Sequence, residues 1–156
     1  MRSSASKNRK EIERTIQEDK KLNEMCQIML SVEGVGLITA VLLITTSNEF
    51  GNITDSRKMA CYAGVAPFQY LSGTSVRGRT RVSHLANKPF KTILHMAAVS
   101  AAHGKGDLAK YYQRKVAENK HKMLVLNAIR NKILHRVYAC VRDNRMYEKN
   151  YTRKLA

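Results

Sequence analysis

Between Tyr62 and Lys91 the chain gathers three serines, Ser72, Ser75 and Ser83, three alternating cations, Arg77, Arg79 and Arg81, and the glycines Gly73 and Gly78. A serine becomes a phosphoryl-transfer nucleophile when its neighbours position it and cations neutralise the charge that grows on the phosphate. Ser72, followed by Gly73 and then the arginine run, has that composition, with Ser75 and Ser83 as competing nucleophiles. The same pattern also describes a turn with a phosphate-binding face and no chemistry. On a strand, Arg77, Arg79 and Arg81 share one face, a geometry that tracks a nucleic-acid backbone. No acid falls between Asp55 and Asp107, so a solvated face of mixed charge does not account for them.

Other chemistries find less support. Tyrosine recombination needs His-x-x-Arg, and His84 is followed three residues later by Asn87. Two-metal nucleases need convergent carboxylates, whereas the 12 acids show no such set. His95 falls within a helical pattern and reads as a core or surface residue. Cys26, Cys61 and Cys140 are far apart with no ligand spacing, so they read as buried thiols in a reducing compartment.

A second phosphate contact is suggested by Gly34-Val35-Gly36 ahead of Thr39. A glycine turn that opens a helix leaves backbone N–H groups facing outward, where the helix dipole favours an anion. This is the pattern of a helix-hairpin-helix; a tight helix connection without ligand gives the same spacing. The balance of 28 Lys and Arg against 12 Asp and Glu, a net charge of +16, favours a polyanionic partner, DNA above a membrane surface. The absence of a long apolar run or a secretory leader points to a cytoplasmic protein.

These residues need a scaffold, and 156 residues have room for one core. Residues 1–8 read as a polar, disordered arm. Ile12, Ile16, Leu22, Met25, Cys26, Met29 and Leu30 predict one amphipathic helix from about Glu11 to Leu30, thin enough in its first half to suit a partner helix. An apolar helix follows Gly36, and a short one runs from Ser56 through Tyr62. Phe68 to Ser83 alternates like a small β-hairpin or ordered loop, with Gly73 and Gly78 as turn points. Helicity resumes near Pro89, with Ser83 as N-cap or phosphate contact, and stops at His103-Gly104. Asp107 is placed to cap the next helix, whose Tyr111 and Tyr112 face inward or toward a partner. The last helix sets Met123, Leu126, Ile129, Ile133, Val137 and Val141 inward, with Lys120, Lys122, Arg130, Lys132 and Arg136 outward. The tail from Asn144 to Ala156 is expected to fray. The expected fold is all-α, five or six helices in a helix-hairpin-helix-like domain with a long N-terminal helix and an irregular or β-hairpin insertion. Its divisions are 1–30, 31–143 and 144–156.

The order of Gly34-Val-Gly36 with Thr39-Ala40, Phe50, Tyr62-Ala-Gly-Val-Ala-Pro67, Ser72-Gly73, Arg81-x-Ser83, Asn87, Ala97-Ala98, Tyr111-Tyr112 and Lys120 to Ile129 resembles one family domain. It is the C-terminal domain of insertion-sequence transposases related to the bridge-RNA-guided serine recombinases, and the likeness runs from about Leu22 to Val141. The resemblance implies a DNA recombinase in which Ser72 attacks the DNA backbone and forms a phosphoserine link. An N-terminal RuvC-like half, absent here, would supply the acidic set and its Mg2+, so this chain carries no cofactor and is expected to bind without cutting. The N-terminal helix would be the coiled-coil link between the halves and a route to a homo-oligomer; a guide RNA is a further implied partner. Gly34, Gly36, Thr39, Gly73, Ser75, Arg77, Arg79, Arg81, Ser83, Asn87, Lys88, Lys91, Lys120 and Lys122 form the expected nucleic-acid contacts. Where the family favours Ser-Lys-x-Gly-Asn, this chain has Ser83-His84-Leu85-Ala86-Asn87. The alternative is a non-catalytic helix-hairpin-helix DNA-binding module or a truncated transposase relic.

Overall fold

Helix α1, Arg2–Glu18, and helix α2, Lys20–Leu30, meet at Asp19, whose extended backbone breaks what the apolar spacing predicts as one helix. The Asp19 carboxylate accepts from the Leu22 N–H at 3.1 Å, capping α2. An acid within a charged stretch carries no apolar signal, and the expected long helix becomes two. The expected arm at residues 1–8 is likewise corrected, because α1 already runs from Arg2. The computed structural model describes residues 2–68, 71–72, 76–77, 81–82 and 86–149.

Helix α3, Leu37–Ser47, ends in three consecutive left-handed residues, Asn48, Glu49 and Phe50. Such backbone is uncommon outside glycine and persists when its surroundings hold it. Three contacts hold it here: Ser47 Oγ accepts from the Phe50 N–H at 2.9 Å, Lys21 reaches Glu49 at 2.6 Å, and the Phe50 ring meets Tyr138 edge-on at 4.8 Å. Helix α4, Ser56–Tyr62, is capped by Asp55 and tied by Ser56 Oγ to His135 Nδ1 at 2.7 Å.

Four two-residue strands follow: β1 Pro67–Phe68, β2 Leu71–Ser72, β3 Val76–Arg77 and β4 Arg81–Val82. Helices α5, Lys88–His103, α6, Asp107–Ala117, and α7, Lys122–Arg142, complete the chain. Among the described residues the architecture is all-α, with seven helices and these short ladders; the seventh helix arises from the break at Asp19.

Helix α7 packs against α2, α4, α5 and α6, and Ile129, Ile133, Leu134 and Val137 are fully buried on it. Two of its expected faces are corrected. Met123 is 50% exposed, while Arg130, expected on the outer basic face, is 5% exposed. Helix α5 presents Ala97, Ala98, Ala101 and Ala102, whose small side chains allow close approach. Gly34 uses that approach: at φ +82° a Cβ there would lie 2.4 Å from the Ala97 carbonyl oxygen and 2.8 Å from the Ala101 Cβ.

The α6 end is built by residues from four segments. Gly106 is the N-cap and offers no side chain, so Asp107 is the first helical residue rather than the cap. Glu33 serves instead, its two carboxylate oxygens accepting from the Asp107 and Leu108 N–H groups at 3.1 Å each. Arg136 pairs with Asp107 and lies 3.7 Å from Glu33. The tail closes over them: the Tyr147 N–H donates to Ser31 Oγ at 2.8 Å and its ring lies under Arg136 at 4.8 Å. The tail is therefore docked at Tyr147, against the expectation of fraying, while Asn144, Met146, Glu148 and Lys149 stay exposed.

Candidate nucleic-acid interface

The serine and arginine segment folds back on itself as two successive antiparallel ladders. Pro67 pairs with Val82 and Phe68 with Arg81; farther in, Leu71 pairs with Arg77 and Ser72 with Val76. The hairpin alternative is the one observed, with Ser72 in the inner ladder. Arg77 and Arg81 stand on separate strands in separate ladders. Gly73, Ser75, Gly78, Arg79 and Ser83 lie outside the described residues, and with them the expected turn glycines, the rival serines and the common arginine face.

Both roots of this segment are anchored to the helical body. On the entering side, the Val65 and Ala66 N–H groups donate to the Ala60 carbonyl at 2.9 and 3.1 Å, and Asn127 Nδ2 donates to the Val65 carbonyl at 2.9 Å. On the leaving side, the Asn87 N–H donates to the Tyr62 carbonyl at 3.0 Å and its Nδ2 to the Tyr62 hydroxyl at 2.8 Å. Asn87 also caps α5, its Oδ1 accepting from the Phe90 N–H at 3.0 Å. Ser83 is thus not the cap, and Asn87, expected as a nucleic-acid contact, spends both ends of its amide inside the protein. Pro89 occupies the first helical turn, where its missing N–H costs nothing.

Of the other expected contacts, Lys88, Lys120 and Lys122 are exposed and Lys91 is half-buried. Lys88 and Lys91 sit at the start of α5, three residues apart and so on adjoining faces. Lys122 opens α7 and Lys120 precedes it. At the α2–α3 turn the two glycines part ways. Gly34 is filled in by α5, whereas a Cβ on Gly36 would meet nothing within 4 Å. Gly36 is the N-cap of α3 with no side-chain cap, which leaves early N–H groups of that helix without intrahelical partners. Thr39 is 6% exposed, so its side chain offers no contact surface.

Behind the entering root stand Asn127, which the sequence pattern does not single out, Arg130, expected on an outer basic face, and His95, expected as a core or surface residue. Arg130 Nη2 lies 2.6 Å from His95 Nδ1, and its Nη1 donates to Asn127 Oδ1 at 3.3 Å. Asn127 therefore joins the guanidinium to Val65, two residues before β1. Burial, and after it the charge of Arg130, hold the His95 imidazole below its ordinary 6.5. The one available signal was the i, i+3 spacing of Asn127 and Arg130 within an apolar helix face.

A polar cleft of about 320 Å3 lies between α6 and α7, lined by Lys110, Tyr111, Arg114, Lys132, Arg136 and Asp107, with Leu108 beneath. Lys132 lies 4.8 Å and Arg114 5.8 Å from the Tyr111 ring centre. Among the described residues, no three His, Cys, Asp or Glu side chains converge as metal ligands, and no helix is long and apolar enough to cross a membrane. Cys26 and Cys140 are buried, while Cys61 is half-exposed, against the expectation for all three.

Residues 26–113, more than half of the chain, match the family described as Transposase IS116/IS110/IS902 family. The chain is also 27% identical over 129 residues to the pilin gene-inverting protein of Moraxella bovis, covering 82% of this chain and 40% of that protein. The pilin gene-inverting protein of Moraxella lacunata matches to the same extent. The insertion element IS110 uncharacterized 43.6 kDa protein of Streptomyces coelicolor is 30% identical over 122 residues, covering 78% of this chain and 30% of that protein. The chain thus spans less than half the length of these curated relatives.

Proposed function

Because this chain belongs to the IS116/IS110/IS902 family of transposases, we propose that it acts as the DNA-facing C-terminal part of a recombinase and supplies Ser72 to a composite active site. The observation that carries the reading is the placement of Ser72 in an antiparallel ladder, within an acid-free arginine segment, anchored at both roots by Tyr62, Asn87 and Asn127. A nucleophile gains from such anchoring because a small misplacement costs rate steeply. The likeness to the pilin gene-inverting proteins of Moraxella supports rearrangement of DNA over plain binding.

In this reading Ser72 Oγ loses its proton and forms a bond to phosphorus. The bond from phosphorus to a deoxyribose oxygen breaks, and that oxygen leaves with the electron pair and takes up a proton. Arg77, Arg79 and Arg81 neutralise the phosphoryl oxygens as charge grows on them. Lys88, Lys91, Lys120 and Lys122 hold neighbouring phosphates, and the uncapped α3 turn at Gly36 adds a helix-hairpin-helix contact. An upstream RuvC-like half would bring the carboxylates that hold Mg2+. The residues present here do not fit that metal: all 12 acids are described, and none gather into a ligand set. A guide RNA and a homo-oligomer through α1 belong to the same proposal. An apolar groove of about 340 Å3 between α1, α2 and α3, lined by Ile12, Ile16, Leu22, Val41 and Ile44, supports the latter.

The test reconstitutes the chain with its acidic partner half and looks for a covalent DNA adduct. Ser72→Ala is expected to abolish the adduct while Ser75→Ala and Ser83→Ala retain it. An adduct that survives Ser72→Ala would sink the assignment. The second reading, a non-catalytic DNA-binding module, is favoured by the open space at Gly36; it expects binding and no adduct from any serine.

A further inference from the structure

Among the described residues, Arg130 is the charged side chain that the core encloses, at 5% exposure. A guanidinium stays protonated and offers only donors. Its contacts in this chain are neutral: His95 Nδ1 at 2.6 Å, which must accept and so leaves the ring proton on Nε2, and Asn127 Oδ1 at 3.3 Å. Arg130 Nε is buried with no partner at all. A buried cation is tolerated when an anion compensates it and is costly when none does.

No acidic side chain of the chain fills that role. Its 12 acids are all described, and none forms an ion pair with Arg130. From Ser56 to Gly106, the stretch that holds His95 and the two ladders, there is no acid. Among the described residues the guanidinium has no counter-ion, and a bound anion would supply one. Asn127 gives the location a meaning, because the amide that holds Arg130 also holds the Val65 carbonyl at the entering root of the Ser72 ladder.

We propose that Arg130, oriented by His95 and Asn127, is a seat for a phosphate oxygen of the nucleic-acid backbone engaged by the neighbouring ladder. The proposal rests on the reading of the chain as a nucleic-acid-acting protein and adds a positioning residue from α7 to it. The fork of the guanidinium suits two oxygens of one phosphate, and engagement would join phosphate binding to the anchoring of the ladder through one shared amide.

The experiment compares thermal unfolding of the 156-residue chain with that of Arg130→Met and His95→Glu, with and without inorganic phosphate at constant ionic strength. Binding of a short DNA duplex is measured on the same three proteins. Without phosphate, Arg130→Met is expected to melt at or above the wild type, because an uncompensated cation has been removed from the core. Phosphate should raise the melting point of the wild type more than that of either variant, since His95→Glu supplies an internal carboxylate that competes for the same guanidinium. Duplex affinity should fall about tenfold to a hundredfold in Arg130→Met, the range for one charged hydrogen-bonded contact. An equal phosphate response in all three proteins would overturn the seat, as would an Arg130→Met chain that melts lower yet binds duplex like the wild type. If Arg130→Met fails to fold, His95→Glu decides alone: a wild-type phosphate response in it rejects the proposal. Ser72→Ala should keep the full phosphate response, so failure of the nucleophile assignment and failure of the Arg130 seat are read separately.

Discussion

Gly34 shows how one residue type serves two ends that look alike in sequence. In Gly34-Val35-Gly36 both glycines suit a phosphate turn, yet the structure gives Gly34 to the backbone of α5 and leaves Gly36 in open space. Gly34→Ala is expected to destabilise by about 2 to 4 kcal/mol, combining a left-handed backbone with overpacking against Ala97 and Ala101. Gly36→Ala should fall well below that figure. Denaturant unfolding of the two variants checks the contrast, and equal losses would reject it. Arg130 carries the opposite lesson: a cation between apolar neighbours reads as solvent-facing, because long charged side chains are almost never fully buried unless paired. Its burial depends on where α5 sets His95, which no local pattern reports.

At the scale of elements, α6 depends on a cap supplied from another part of the chain. Burial pushes the Asp107 carboxyl up, but hydrogen bonds from Arg136 and with Glu33, aided by the charge of Arg136, outweigh it and hold the group below its ordinary 3.8. A carboxylate depressed in the folded state binds its proton more readily when unfolded. Its contribution is therefore complete at neutral pH and lost as pH falls below about 4 through the folded value. Asp107→Asn is expected to cost about 1 to 3 kcal/mol at pH 7 and to flatten the fall in stability below pH 4, as measured by urea unfolding across pH. An unchanged acid limb would reject the network as its source. Helices α3 to α7 were legible because apolar spacing and Gly, Asn or Pro punctuation agree at their ends, and the hairpin was legible from alternation. The break at Asp19, the cap from Glu33 and the docked Tyr147 were not, since each rests on a polar side chain whose partner is set by the tertiary fold. The site divides in the same way: Ser72 and its arginines stand out by type, whereas Tyr62, Asn87, Asn127 and His95 act through contacts that join separate helices.

For the whole molecule, a net charge of +16 with exposed lysines at the starts of α5 and α7 predicts DNA binding dominated by phosphate contacts. The logarithm of affinity should fall linearly with the logarithm of salt concentration, by about 0.9 per phosphate neutralised. Lys88→Gln combined with Lys122→Gln should lower that slope by about 2, whereas Glu148→Gln should leave it unchanged; a slope indifferent to both lysines would place the contact face elsewhere. The hydrogen bond from Tyr147 to Ser31 has a consequence in time as well as in space. Its partners are 116 residues apart, and at roughly 5 to 20 residues per second a ribosome takes on the order of ten seconds to make the second after the first. During that interval the α2–α3 turn, with its Gly36 opening, exists without its clasp. The stretch around Tyr147 thus completes a turn made long before it, and the α2–α3 surface takes its finished form only once that stretch has been added.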